Sequence, residues 1–320
     1  MVFPELVTIG ETMIILEAAD EGPLRYIPSF NKRQGGAESN VAIGVARLGH
    51  SAGWISKVGD DEFGKYLVSS IRGEGVDTSR VLYNKEYPTG LYIKERVNPG
   101  KTQVYYYRSN SAASQLTKED IDWNYLKEAK IIHISGITPF LSDSCLEVTQ
   151  AVVAFAKENN IFLSFDPNLR FKLMDKKDNA KEILLQLAKQ SDLFMPGLDE
   201  AEYLIGSRNY EEIADYFLNE GVSKIVIKNG ANETYYASKA GETGAVPSFK
   251  VEHVADPVGA GDGFAAGLLA GLLENKSLRE SVEMGAKVGA MVVTIRGDIE
   301  GLPDKNELEN FQKNCSDVLR

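Results

Sequence analysis

From residue 130 onward, short apolar runs alternate with helical patterns, and this alternation limits the fold more than any other feature. The runs are Ile131–Ser135, 161–165, 192–195 and 225–228, and the helical patterns between them span 144–158, 179–189 and 211–219. Consecutive parallel strands need a long crossover, normally a helix, because a tight turn can only reverse the chain. The alternation therefore predicts an α/β fold, a mostly parallel sheet with helices on both faces. Leu6–Ile9 supplies a first strand. Val41, Ala42, Val45, Ala46 and Leu48 recur at helical spacing after Gly35-Gly36, and Gly49 ends the pattern. Phe63, Leu67 and Ile71, four apart, predict a helix over 62–72, and longer helical patterns cover 261–273 and 278–293.

Between residues 82 and 107 the texture changes. Thr, Val, Tyr and Ile dominate, with turn signals at Pro88-Thr89-Gly90 and Asn98-Pro99-Gly100, which predicts antiparallel hairpins. A further hairpin is expected over 234–246. The expected division is an α/β body of residues 1–10, 34–83 and 115–320 with a small β lid of residues 11–33 and 84–114. The lid would cover the carboxyl edge of the sheet, where such sheets bind ligands. Lys plus Arg total 35 against 46 Asp plus Glu, a formal charge of −11 with no dense basic cluster, which argues against a nucleic-acid partner. No apolar run approaches about 18 residues and residues 1–16 lack a basic leader, so no membrane partner and a cytoplasmic location are expected. Cys145 and Cys315 make no disulfide framework, and His50, His133 and His253 are scattered without zinc-site spacing. Gly10-Glu11-Thr12-Met13 follows the first strand where a nicotinamide oxidoreductase would carry Gly-x-Gly-x-x-Gly, so that class is set aside.

Asp256-Pro257-Val258-Gly259-Ala260-Gly261-Asp262-Gly263-Phe264 carries the most chemistry. Three small residues in a row precede a helix that Phe264, Leu268, Leu269 and Leu272 anchor in a core. Small residues leave backbone N–H groups open at a helix start, and with the helix dipole they form an anion site suited to phosphate. Asp262 would repel that anion, so its role there is to take a proton from a hydroxyl that attacks phosphorus. A second reading stands beside it: Asp262 caps the helix, and the glycines serve close packing.

The same stretch resembles the C-terminal signature of the ribokinase-like (PfkB) carbohydrate kinases. Gly35-Gly36-Ala37-Glu38-Ser39-Asn40-Val41-Ala42, followed by Ala46-Arg47-Leu48-Gly49, resembles the N-terminal signature, and Gly59-Asp60-Asp61-Glu62-Phe63-Gly64 the motif after it. The resemblance implies a ribokinase-like fold and phosphoryl transfer from ATP, with Mg²⁺, to a sugar hydroxyl. It implies Asp262 as catalytic base, with the amides of Gly259, Ala260 and Gly261 stabilising charge on the moving phosphoryl group. It places Gly35, Gly36 and Asn40 at the sugar, and Asn168, Lys228, Gly230 and Ala231 at the nucleotide. Taken by residue type, Lys228 also reads as a solvated charge at a strand end. One departure occurs: where the family often has Asn-x-x-Glu, this chain has Gly197-Leu198-Asp199-Glu200. Glu200 is kept, and the resemblance implies that it organises Mg²⁺ through water; the alternative is a surface acid in a helix first turn.

Sugar identity rests on the lid and the strand ends. Strand alternation puts Tyr106 and Arg108 on one face, and an arginine fork suits a carboxylate. Arg170 follows the 161–165 strand toward the same edge. Alternatively Arg108 is a solvated lid charge and the tyrosines are sheet stacking. Gly35-Gly36-Ala37-Glu38-Ser39-Asn40, Tyr92, Tyr106, Arg108, Arg170 and Gly297-Asp298-Ile299-Glu300-Gly301 together resemble the family's 2-keto-3-deoxygluconate kinases. That branch implies a sugar acid held by Tyr92, Tyr106, Arg108, Arg170 and Asp298, phosphorylated at its 6-hydroxyl in catabolism of the Entner–Doudoroff type. Alternatives are a fructokinase or ribokinase-type enzyme of a neutral sugar, and a non-catalytic sugar sensor. The exposed face of the lid suggests a homo-oligomer.

Overall fold

The computed structural model describes residues 3–98, 101–175 and 177–317. The chain begins β1 (Leu6–Ile9), β2 (Met13–Ala18), β3 (Phe30–Gly35), α1 (Ala37–Arg47), β4 (Ala52–Gly59), α2 (Glu62–Gly73), β5 (Val81–Asn84), β6 (Leu91–Asn98) and β7 (Lys101–Tyr107). It continues through α3 (Trp123–Lys127), β8 (Ile131–Ser135), α4 (Asp143–Glu158), β9 (Phe162–Asp166), α5 (Phe171–Met174), α6 (Ala180–Gln190), β10 (Leu193–Phe194), α7 (Leu198–Ile205), α8 (Tyr210–Asn219) and β11 (Lys224–Lys228). The last elements are β12 (Glu233–Ser238), β13 (Thr243–Pro247), α9 (Ala260–Leu273), α10 (Leu278–Val292) and α11 (Lys305–Asp317).

Nine strands form one sheet in the order β13-β12-β11-β10-β9-β8-β1-β4-β5. It is parallel from β11 to β5, and β12 and β13 add an antiparallel edge. Successive strand residues enter opposite cores, as the pleat requires. Ile132 and Ile134 pack with Val148 and Val152 of α4, Leu184 of α6 and Phe217 of α8. Ile131 and Val226 face the other way, toward Val41 and Ile43 of α1, Leu268 and Leu269 of α9, and Val282 and Val288 of α10. Helices thus cover both faces of the sheet.

Four strands form the smaller sheet, in the order β3-β2-β6-β7. The expectation of antiparallel hairpins throughout 82–107 needs correcting. β5 joins the large sheet parallel to β4, reached through the crossover helix α2, and β6 pairs β2 in parallel. Only β2 with β3 and β6 with β7 are antiparallel in the smaller sheet. The turn at Asn98-Pro99-Gly100 falls partly outside the described residues. Among the described residues no helix is long and apolar enough to cross a membrane.

Candidate active site

Strand order reverses around β1: β4 and β5 lie on one side, β8 to β11 on the other. Loops leaving neighbouring strands part at such a point and open a crevice at the carboxyl ends. A cavity of about 380 Å³ lies there. Glu11 enters it just past β1, Ile137 past β8, Asp166 and Asn168 from the end of β9, and Lys228 from the end of β11. The smaller sheet contributes Tyr92, Lys94 and Tyr106, with Arg108 just beyond β7. Asn40 of α1 and the first turn of α9 complete the wall.

The turn into α9 is shaped by glycine. Gly259 has φ 80°, the left-handed region that favours glycine, and a side chain there would meet the Asp298 carbonyl oxygen at 2.6 Å. Beside Gly261, apart from its chain neighbours and its own helix backbone, no atom of the described residues lies within 4 Å of where a side chain would begin, so the turn borders open space. The helix behind it runs for 14 residues, and its dipole adds to those amides. Asp262 does not cap the helix. Its Oδ2 accepts a hydrogen bond from Asn40 Nδ2 at 2.8 Å, and Gly259 occupies the cap position with no side-chain bond. Burial pushes the Asp262 carboxyl up to about 6; the Asn40 bond pulls the other way, and Asp166 adds repulsion. Asp298 is buried against Gly35, where any side chain would collide with its carboxylate. Burial, then the charge of Asp262, pushes Asp298 up to about 7. Burial and the same Asp298 charge raise the Tyr92 phenol, whose ring lies 5.5 Å from that of Tyr106. Asn40 Oδ1 is buried without a hydrogen-bond partner among the described residues, an acceptor beside Asp262.

Among the described residues four cations line the cavity, and three are already paired. Lys228 Nζ donates to Asp166 Oδ2 at 2.6 Å, and Lys94 Nζ to Asp256 Oδ2 at 2.7 Å. Arg108 Nε donates to Glu11 Oε2 at 2.7 Å, its Nη2 meets the same oxygen, and Ser111 donates to the other. Arg108 is therefore neither a solvated charge nor an open fork. It is buried, with two of its three nitrogens on Glu11, because a buried carboxylate needs an opposite charge within reach. Arg170 has no carboxylate partner among the described residues; its Nη1 reaches only the Leu169 carbonyl, at 3.2 Å.

Gly35, Gly36, Asn40, Tyr92, Tyr106, Arg108, Asn168, Arg170, Glu200, Lys228, Gly259, Gly261, Asp262 and Asp298 all border this one cavity. Ala260 does not border it. Gly230 and Ala231 lie in the exposed turn between β11 and β12, away from the cavity, because β11 ends at Lys228 and the chain turns outward there. Glu200 is not a surface acid. Its oxygens accept from Gly197 N at 2.7 Å and Leu169 N at 2.8 Å, fixing the start of α7 beside β9. Three charged wall residues escaped the sequence reading: Glu11, Lys94 and Asp166. Glu11 and Asp166 stand at carboxyl ends of parallel strands, which was a usable signal. Lys94 shares a strand face with Tyr92, two residues away.

An amide-lined turn beside an enclosed carboxylate, at the reversal point of a parallel sheet, defines an enzyme that moves a phosphoryl group to an alcohol. The description "pfkB family carbohydrate kinase" matches residues 4–305, and the chain belongs to that family. It is 41% identical over 308 residues to a 2-dehydro-3-deoxygluconokinase of Bacillus subtilis, covering 96% of this chain and 95% of that one. A 2-dehydro-3-deoxygluconokinase of Thermoproteus tenax is 35% identical over 96% and 94% of the two chains. A probable chloroplastic fructokinase of Arabidopsis thaliana is 32% identical over 94% and 80%. The crystal structure of a putative ribokinase II from E. coli, in complex with ATP and Mg²⁺, superposes with a TM-score of 0.90 at 28% identity, covering 97% and 99%.

Proposed function

We propose that this kinase transfers the γ-phosphoryl of ATP to the 6-hydroxyl of 2-keto-3-deoxygluconate, giving the 6-phosphate and ADP. Arg170 carries the reading: it is the one cavity cation, among the described residues, with no carboxylate partner. A sugar carboxylate would complete it, while Arg108, positioned by Glu11, offers Nη1 alongside. Tyr92 and Tyr106 pack on the sugar, and Asp298 and Asn40 Oδ1 accept from its hydroxyls. This leaves the far hydroxyl beside Asp262, which takes its proton as the oxygen attacks, while the amides at Gly259–Gly261 hold the charge on the moving group.

The α9 turn fits phosphate, with glycine positions and open space at Gly261. Lys228, Asn168 and the exposed Gly230-Ala231 turn extend from it toward the rest of the nucleotide. The residues also fit Mg²⁺ held chiefly by phosphates: Glu200 borders the cavity, but both its oxygens already accept amides, so it would act through water. When bound, Mg²⁺ would neutralise phosphate charge. The smaller sheet serves as a lid over the sugar. Its outer face, with Phe30 39% and Tyr107 61% exposed, pairs with a second copy, and the chain works in the cytoplasm on small molecules, without nucleic acid or membrane.

ADP release across keto-deoxy sugar acids, fructose and ribose tests the reading, on the natural chain and on Arg170→Met. The expected result is a preference for 2-keto-3-deoxygluconate that collapses in the variant by roughly 10- to 100-fold, with little change for neutral sugars. A higher kcat/KM for fructose, or equal losses on both sugar classes, favours the neutral-sugar reading, which the Glu11 charge beside Arg108 supports. No ADP release with any sugar points to a sensor.

A further inference from the structure

Two side chains of the smaller sheet tie it to the loops around the α9 turn. Lys94, on β6, donates to Asp256 Oδ2 at 2.7 Å, and the pair is almost enclosed, with side chains 15% and 12% exposed. The other oxygen of Asp256 accepts the Val258 amide at 3.1 Å, within the same turn that leads to Gly259. One carboxylate thus bends the turn with one oxygen and holds the lid with the other. On β3, Arg33 binds Glu300 and reaches the Arg296 carbonyl at 3.4 Å. The segment 296–300 includes Asp298, whose carbonyl oxygen is the atom that excludes a side chain from Gly259. The Lys94 contact is the more enclosed of the two ties, and it meets the turn directly.

We propose that Lys94 is a positioning residue: through Asp256 it fastens the lid to the amide turn, so that the lid sits over the sugar only when the turn is set for phosphoryl transfer. The proposal rests on the reading of Gly259–Asp262 as the transfer centre. Lys94 touches neither reacting oxygen nor phosphorus in this account. Without it, nucleotide still binds, but the turn and the attacking hydroxyl lose their common register, and small misplacements at such a centre slow chemistry steeply.

The test compares Lys94→Met, Lys94→Arg, Asp256→Asn and the Lys94→Met/Asp256→Asn double variant, using ATP and whichever sugar the natural enzyme turns over fastest. Lys94→Met is expected to lower kcat roughly 10- to 100-fold with KM for ATP within about twofold. Lys94→Arg should recover most of the loss, because it keeps the charge and reach. The double variant should be no worse than Lys94→Met alone, since both break one contact. Melting temperatures are read in parallel. An unchanged kcat in Lys94→Met, losses that add in the double variant, or a kcat loss that follows melting temperature and is not recovered by arginine would each overturn the proposal. Asp262→Asn is run alongside. If it stays active, the transfer-centre reading fails, whatever Lys94 does.

Discussion

In the proposed transfer Asp262 can act as a base only if it is ionised and close to an alcohol, and its surroundings suit both needs. Asn40 holds its orientation, and burial holds its affinity for a proton near that of a weak base at about 6. Asp262→Asn keeps shape and the Asn40 contact but loses the acceptor, so kcat should fall about 10²- to 10⁴-fold with little change in binding of either substrate. For the natural enzyme kcat should rise with pH through about 6, because the protonated carboxyl cannot accept the hydroxyl proton; a flat profile down to pH 5 would contradict this. Glu38 shows the same physics as a stability effect. It is buried, accepts from Thr138 Oγ1 at 2.6 Å, and burial pushes it up to about 7. The folded chain binds this proton more tightly than the unfolded one. Its contribution is therefore complete below the usual carboxylate range and is lost as pH rises through about 7. Glu38→Gln should raise stability at pH 8 by about 1–3 kcal/mol and leave it nearly unchanged at pH 4, as read by denaturant melts. What the sequence could not show at this scale is pairing. Glu11 and Arg108 are 97 positions apart, and no local period links them, so Arg108 read as an open fork until its partner was seen.

At the scale of elements, legibility followed locality. The strands and helices that were read after residue 130 fell within about two residues of their periodic patterns, since amphipathic period is a local property, whereas α5, α7 and α11 were not read. The placement of β5 and the parallel pairing of β2 with β6 were missed because strand partners are chosen by distant segments. The glycines of α9 show a middle case. The sequence offered packing or anion binding as reasons for the Gly-rich helix start, and the structure uses both, at different glycines. Gly259 and Gly261 shape the turn, whereas Gly263, Gly267 and Gly271, one turn apart, lie against α10 or the residues that follow from it. A side chain at Gly267 would meet the Met284 carbonyl oxygen at 2.8 Å, and one at Gly271 the Ser281 Cα at 2.8 Å. Gly267→Ala should therefore destabilise the fold by about 1–3 kcal/mol through forced separation of the two helices, measured by thermal unfolding. Near-native stability would mean that α9 and α10 shift apart without loss.

For the whole molecule, the sugar-acid reading sets a net charge of −11 against an anionic substrate, and three of the four cavity cations are already neutralised within the protein. Recognition of the acid then rests on Arg170, which is exposed in this structure, so its pull on a carboxylate becomes strong only where bound substrate excludes the surrounding water. In the sugar-acid reading the smaller sheet supplies that exclusion, and its outer face, where Ile14 and Ala18 are buried, still leaves two large aromatic rings in water. By the pleat, Phe30 and Tyr107 lie on the face opposite Tyr92 and Tyr106, and both are exposed. A second copy laid on that face would bury them and steady the lid. The combined variant Phe30→Asp/Tyr107→Asp should therefore run at the mass of one chain by light scattering, where the natural protein runs at two or more. Because neither residue borders the cavity, kcat at saturating substrates should stay within a few-fold, while KM for the sugar should rise as the lid loosens. A natural protein that is a single chain at micromolar concentration, or a variant that keeps its assembly, would show that the lid is steadied by the body and the substrate alone.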